Sequence, residues 1–202
     1  TQMTEIGVVR MPSLMGLQYL AAGQMEAGYG QRGLLVPRMM EPTLLAAQYA
    51  RVEKGVATAQ MGYDLYAPLA KATEEARIWA PLPAVWDKWK GAAQEMVDLA
   101  RERDRLMAQG LALADPRVDA LDARVFAAAS NSRKLLEESS AIIKDLIALN
   151  QKIADDQVVA ANATVKSSRT GMSAAIVAGA ILMLGLGFAF ARTIGGIIKS
   201  LL

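Results

Sequence analysis

The 202-residue chain contains neither cysteine nor histidine. Disulfides, thiolate nucleophiles, imidazole acid–base catalysis and the usual zinc ligand sets are thereby excluded, and carboxylates remain as the only side chains suited to a metal. Neither catalysis nor a cofactor nor a bound metal is expected. Strand-favouring residues are sparse, while Ala, Leu, Met, Glu, Lys, Arg and Gln dominate, so the fold is expected to be all-α. A surplus of one charge is also lacking. Of 22 Lys+Arg and 20 Asp+Glu, the two excess cations are Arg192 and Lys199, leaving 1–170 neutral. Without a basic face, nucleic acid is not expected as a partner.

Charge disappears altogether from Thr170 to Ala191. A helix rises about 1.5 Å per residue, so the apolar run Gly171 to Ala191 matches a hydrocarbon core of about 30 Å and reads as a transmembrane helix. It lies too far from the start to be a signal peptide. Lys166 and Arg169 on one flank balance Arg192 and Lys199 on the other, so charge alone does not orient it.

Breakers divide the polar region. Pro37 and Pro42, then Pro68 and Thr73, then Gly110 and Asp115-Pro116 bound four helical segments near 2–36, 43–69, 73–109 and 117–170. Short connections between long helices predict antiparallel neighbours, hence an up-down-up-down four-helix bundle. The fourth segment shows the clearest period: Val118, Leu121, Val125, Ala128, Ser132, Leu135, Ser139, Ile142, Leu146, Leu149 and Ile153 recur every three or four residues. With no Pro or Gly before Gly171, this last helix is expected to continue into the membrane as one rod, roughly 110 Å long over 117–191. The first segment carries a weaker stripe of Met3, Ile6, Leu14, Leu17, Ala21, Met25, Gly28 and Leu35, and Pro81 with Pro83 should kink the third or delay its regular helix to about Ala84.

Four stretches carry a family likeness: Met11-Pro12-Ser13-Leu14, then Gln31 to Pro37 (QRGLLVP), Ala47 to Glu53 (AQYARVE), and Trp86-Asp87-Lys88-Trp89-Lys90. In this order, with the transmembrane helix after them, the chain resembles the four-helix-bundle sensory domain of bacterial methyl-accepting chemotaxis proteins. Ala191 to Leu202 looks like the first helix of a HAMP linker, with Ile197 where that family usually has proline. The resemblance implies a sensory bundle over 1–170 in the periplasm, a span over 171–191 in the inner membrane, and a cytoplasmic linker from 192 to 202. It further implies an earlier transmembrane helix ahead of Thr1, a homodimer, a small-molecule ligand or a ligand-loaded binding protein as partner, and control of a kinase complex. The same bundle on a histidine kinase or a diguanylate cyclase, or a structural bundle without ligand, are the alternatives.

Depth in the bundle suggests two sites. Near the end formed by the 37–42 and 110–116 connections, Arg32, Gln48, Tyr49, Arg103 and Arg124 share a zone, with Tyr29 one turn deeper. This depth makes Arg32, Tyr29, Tyr49 and Arg124 the candidate ligand residues, the resemblance points to Arg32 among them, and a guanidinium pair would suit a carboxylate. Arg32 and Arg124 could equally pair with Asp104 or Glu41. Some 20 residues deeper, Tyr19, Tyr63, Tyr66, Trp86 and Trp89 fall in one layer. They would line an aromatic pocket or pack as core.

Overall fold

A computed structural model of the chain describes the backbone of residues 9–201 and the side chains of 9–160, 162 and 163. The described residues are helical: α1 (Met11–Gly33), a 3-10 turn (Pro37–Met39), α2 (Pro42–Tyr66), α3 (Thr73–Trp79), α4 (Leu82–Ala108) and α5 (Pro116–Leu201). Contacts divide the chain into two units, 1–154 and 155–202. The helix expected from residue 2 begins in the described part at Met11, and positions 2–8 lie outside the described residues. The side chains of 171–191, the expected span, also lie outside them. Among the described residues, no helix is long and apolar enough to cross a membrane.

Helix ends follow local chemistry. Glu41 caps α2 by accepting from the backbone N–H groups of Thr43 and Leu44, ahead of Pro42 at the first helical position, where a missing N–H costs nothing. Asp115 accepts from the N–H of Arg117 in the same way beside Pro116. Gly110, at φ +93°, adopts the left-handed conformation that ends α4. The expected third segment is two helices rather than one. Pro81 and Pro83 cannot donate, so α3 stops at Trp79 and α4 starts at Leu82.

The face that α1 buries differs from the expected stripe. Ser13, Gly16, Leu17, Leu20, Gly23, Gln24, Ala27, Gly30 and Gln31 are buried, whereas Met25 is 53% exposed and Leu14, Ala21, Gly28 and Leu35 are only half-buried. Gly16, Gly23 and Gly30 recur every seventh residue, and each meets the backbone of α2: Gly16 against Gly62, Gly23 against Gly55 and Ala59, Gly30 against Gln48 and Val52. Numbers fall along α2 as they rise along α1. Removing Cβ at these positions lets two helix backbones touch, which is why glycine and alanine, not the larger apolar residues, form this seam.

On α5 the stripe is as expected in its first part. Val118, Leu121, Val125, Ala128, Ser132, Ser139 and Leu146 are buried, and Ile143 replaces Ile142 as the innermost of that pair. Its two serines make hydrogen bonds to α1, Ser132 to Gln31 and Ser139 to Gln24. Trp86, Trp89, Ala93, Met96, Val97 and Ala100 of α4 join the same core.

Candidate functional site

A groove with a cavity volume of about 160 Å³, open to solvent, runs between α1 and α5 and is lined by Gln31, Arg32, Leu35, Phe126, Ser130, Arg133 and Leu136, among others. Its floor is apolar and its rim carries two guanidinium groups. Gln31 is 6% exposed. Its Oε1 accepts from the Ser132 hydroxyl at 3.1 Å, while its Nε2 has no hydrogen-bond partner. A buried donor without an acceptor is costly and marks a place where an acceptor from outside would be favoured. Arg133 is exposed and pairs with Glu137 at 2.9 Å, a contact worth little in water.

Of the four expected ligand residues, only Arg32 lines this groove. Tyr29 is one turn away and 45% exposed, and its ring lies 5.8 Å from the Arg32 guanidinium and 5.6 Å from that of Arg51. Tyr49 points to the α2–α4 side, where its hydroxyl donates to Asp104 and Arg101 sits 5.4 Å over its ring. Burial and that carboxylate push its phenol well above the usual range. Arg124 faces α4, in a shallow depression with Glu95, Asp98 and Glu102. Equal depth did not bring these residues together, because each helix turns its own side outward.

Arg103, expected in the same zone, is a structural residue. Fully buried, it donates to Asp104 (2.9 Å), Asp122 (2.7 Å) and the carbonyl of Leu34 (3.0 Å), joining α4 to α5 and to the end of α1. Burial alone would lower its pKa, but the two carboxylates more than offset this and raise it.

The aromatic layer is packed core with one member exchanged. Tyr63 stacks on Trp86 at 5.3 Å, Trp86 meets Trp89 at 5.1 Å, and Trp79 contacts Tyr63 (5.4 Å) and Tyr66 (5.0 Å). Tyr66, Trp86 and Trp89 are at most 1% exposed, so the rings fill the space themselves. Tyr19 stands apart, 40% exposed. Trp79 enters because the break at Pro81 frees α3 to fold its ring back over α2.

Below the rings lies a second buried polar cluster, which the sequence reading missed. Glu75 of α3 is 0% exposed, and each of its oxygens accepts two hydrogen bonds. Oε1 takes those of the Tyr66 hydroxyl (2.6 Å) and Asn150 Nδ2 (2.8 Å); Oε2 takes those of Arg10 Nη1 (2.8 Å) and the Ala72 N–H (3.2 Å). Burial pushes the carboxyl up, but the four donors together hold it below the usual range. Lys71, its Nζ bonded to the carbonyls of Tyr66, Ala67 and Leu69, caps α2 next to it.

No family model, curated protein or solved structure matches this chain.

Among the described residues, no group of three or more carboxylates is placed to hold a metal ion. The groove offers guanidinium groups at the rim, apolar walls and no general base, with the unpartnered Gln31 amide buried behind its lining. Such a set can bind an anion with a hydrophobic body.

Proposed function

We propose that the chain is the sensory and membrane-anchoring part of a bacterial chemoreceptor-type transducer, with 1–170 as an up-down-up-down four-helix bundle outside the inner membrane, 171–191 as the membrane span and 192–202 as the start of a HAMP-like linker. The observation that carries this reading is the extent of α5. One helix, Pro116–Leu201, includes both the residues hydrogen-bonded to α1 and the stretch without charge from 170 to 191. A bias on the first part has an unbroken backbone along which to travel. The α1–α5 groove supplies the input: a ligand that prefers one arrangement of α5 shifts the balance between two arrangements, and only such differential binding can do so.

A homodimer fits the outer face of α1. Met11, Met15, Gln18, Ala22, Met25, Tyr29 and Arg32 are all exposed and alternate at spacings of four and three, the period of a coiled-coil seam. A second copy laid along this seam would cover its methionines and sit beside Arg32 at the rim of the groove.

The test is a chimera in which residues 1–202 are joined to the HAMP and kinase-control region of a characterised chemoreceptor. Some amino acid, organic acid or aromatic compound should change kinase activity in that fusion. The helix breaker Gln157→Pro should abolish this response and leave ligand binding in place. Full signalling by Gln157→Pro would remove the unbroken helix from the account, and silence towards every compound would favour a structural bundle.

A further inference from the structure

The cluster around Glu75 joins the α2–α3 connection to two segments far from it in sequence. Arg10 precedes α1, Tyr66 ends α2, Ala72 precedes α3 and Asn150 lies on α5. Asn150 is as heavily committed as Glu75. Its Nδ2 donates to Glu75 and to the Leu146 carbonyl (3.0 Å), and its Oδ1 accepts from Arg10 Nη1 (3.1 Å). It is buried, with no exposed surface to offer water as a substitute partner.

The contacts of α1 with its two neighbours differ in kind. Against α2, backbones touch at Gly16, Gly23 and Gly30, so any slide drives Cα or Cβ atoms into one another. Against α5, the polar contacts are the neutral rungs Gln31–Ser132 and Gln24–Ser139, together with the charged layer at Asn150. A neutral rung broken between buried partners leaves polar groups unsatisfied. Breaking the bonds to the charged layer costs more, because one partner of each is an ion. Sliding α5 by two residues' rise, about 3 Å, stretches the bonds of 2.8 and 3.1 Å from Asn150 to Glu75 and Arg10 to roughly 4 Å where they cross the helix axis, and takes one partner each from a buried carboxylate and guanidinium. An intermediate position therefore leaves the buried Asn150 amide without its charged partners while the Arg10–Glu75 pair stays closed, so the layer favours the register in which Asn150 reaches that pair.

We propose that the Arg10–Glu75–Asn150 layer is a latch that sets the axial register of α5 against α1 and α3. Net stability is not its main effect, because a buried ion pair gains little over a well-packed apolar layer. The proposal goes beyond the sensory reading and does not need a ligand.

The absence of cysteine allows clean spin labelling of the full chain in lipid nanodiscs, with labelled chain diluted into excess unlabelled chain. Cysteines replacing the exposed residues Glu95 on α4 and Lys144 on α5 are far enough apart along the helices for an axial slide to change their separation. The parent should give one narrow distance distribution. Asn150→Leu should broaden that distribution and speed amide exchange in α5 around residues 140–150 about tenfold or more. The triple substitution Arg10→Met, Glu75→Leu and Asn150→Leu leaves no buried charge in this layer, so it should stay helical by circular dichroism and show the same broadening. The narrow parental distribution in either folded variant, with exchange unchanged within about twofold, would overturn the latch and leave only a packing role.

Discussion

Gly23 of α1 and Gly55 of α2 approach so closely that a Cβ on Gly23 would stand 2.5 Å from the Gly55 carbonyl oxygen. No rotamer relieves that clash, since Cβ is fixed to the backbone. Gly23→Ala should therefore destabilise the chain by at least about 2 kcal/mol, at the upper end of overpacking costs. Gly91, in the exposed middle of α4, has nothing within 4 Å of a built Cβ. Gly91→Ala should stabilise by about 0.5–1 kcal/mol, because it removes only backbone freedom. Urea titrations of the two variants beside the parent should move the midpoint in opposite directions.

Arg103 gives a second contrast. Its guanidinium is 0% exposed, and its partners Asp104 and Asp122 have side chains 13% and 40% exposed. Arg103→Met should cost about 2–3 kcal/mol, mostly from Asp104 and the Leu34 carbonyl losing their donor, with Asp122 partly rescued by water. Arg101 pairs with Glu53 at the surface, both half-exposed. Arg101→Ala should cost less than about 1 kcal/mol in the same assay.

How much of this was readable beforehand depends on what holds each element in place. The breakers at Pro37, Pro42, Gly110 and Pro116 act locally through missing donors and a positive φ, and they marked helix ends to within a few residues. The α5 stripe was readable because Val, Leu and Ile carry it. The α1 face was readable only at Leu17: beside it and Leu20, the buried positions are Ser13, Gly16, Gly23, Gly30, Ala27, Gln24 and Gln31, which hydrophobicity ranks low, while the exposed seam is rich in methionine. A seven-residue glycine repeat was the available signal. Depth counting placed Arg32, Tyr49 and Arg124 at one level but says nothing of azimuth, so it joined residues that face different neighbours. Glu75 stands at a capping position of a short helix, and nothing local announces an arginine 65 residues away.

Acid should weaken the Glu75 layer selectively. The native pKa of this carboxyl lies below its usual value of 4.5. A depressed native value adds stability that is complete above the unfolded pKa and disappears as pH falls through the native one. Between about pH 5 and pH 3 the parent should lose more stability than Glu75→Gln, whose amide does not titrate. Urea midpoints measured across that window should converge for the two proteins. Parallel curves would mean that Glu75 has no lowered pKa in the folded chain.

The central claim is that the α1–α5 groove senses a small molecule, and ligand-dependent melting of the full chain in nanodiscs tests it most directly. Against amino acids, organic acids and aromatic acids, at least one anion with an apolar body should raise the melting temperature; at a hundred times its Kd, binding adds about 2.7 kcal/mol, a shift of several degrees. That shift should vanish in the double variant Arg32→Ala and Arg133→Ala and shrink in Gln31→Leu. A panel that leaves the melting temperature unmoved, or a shift that survives in the double variant, would contradict the account.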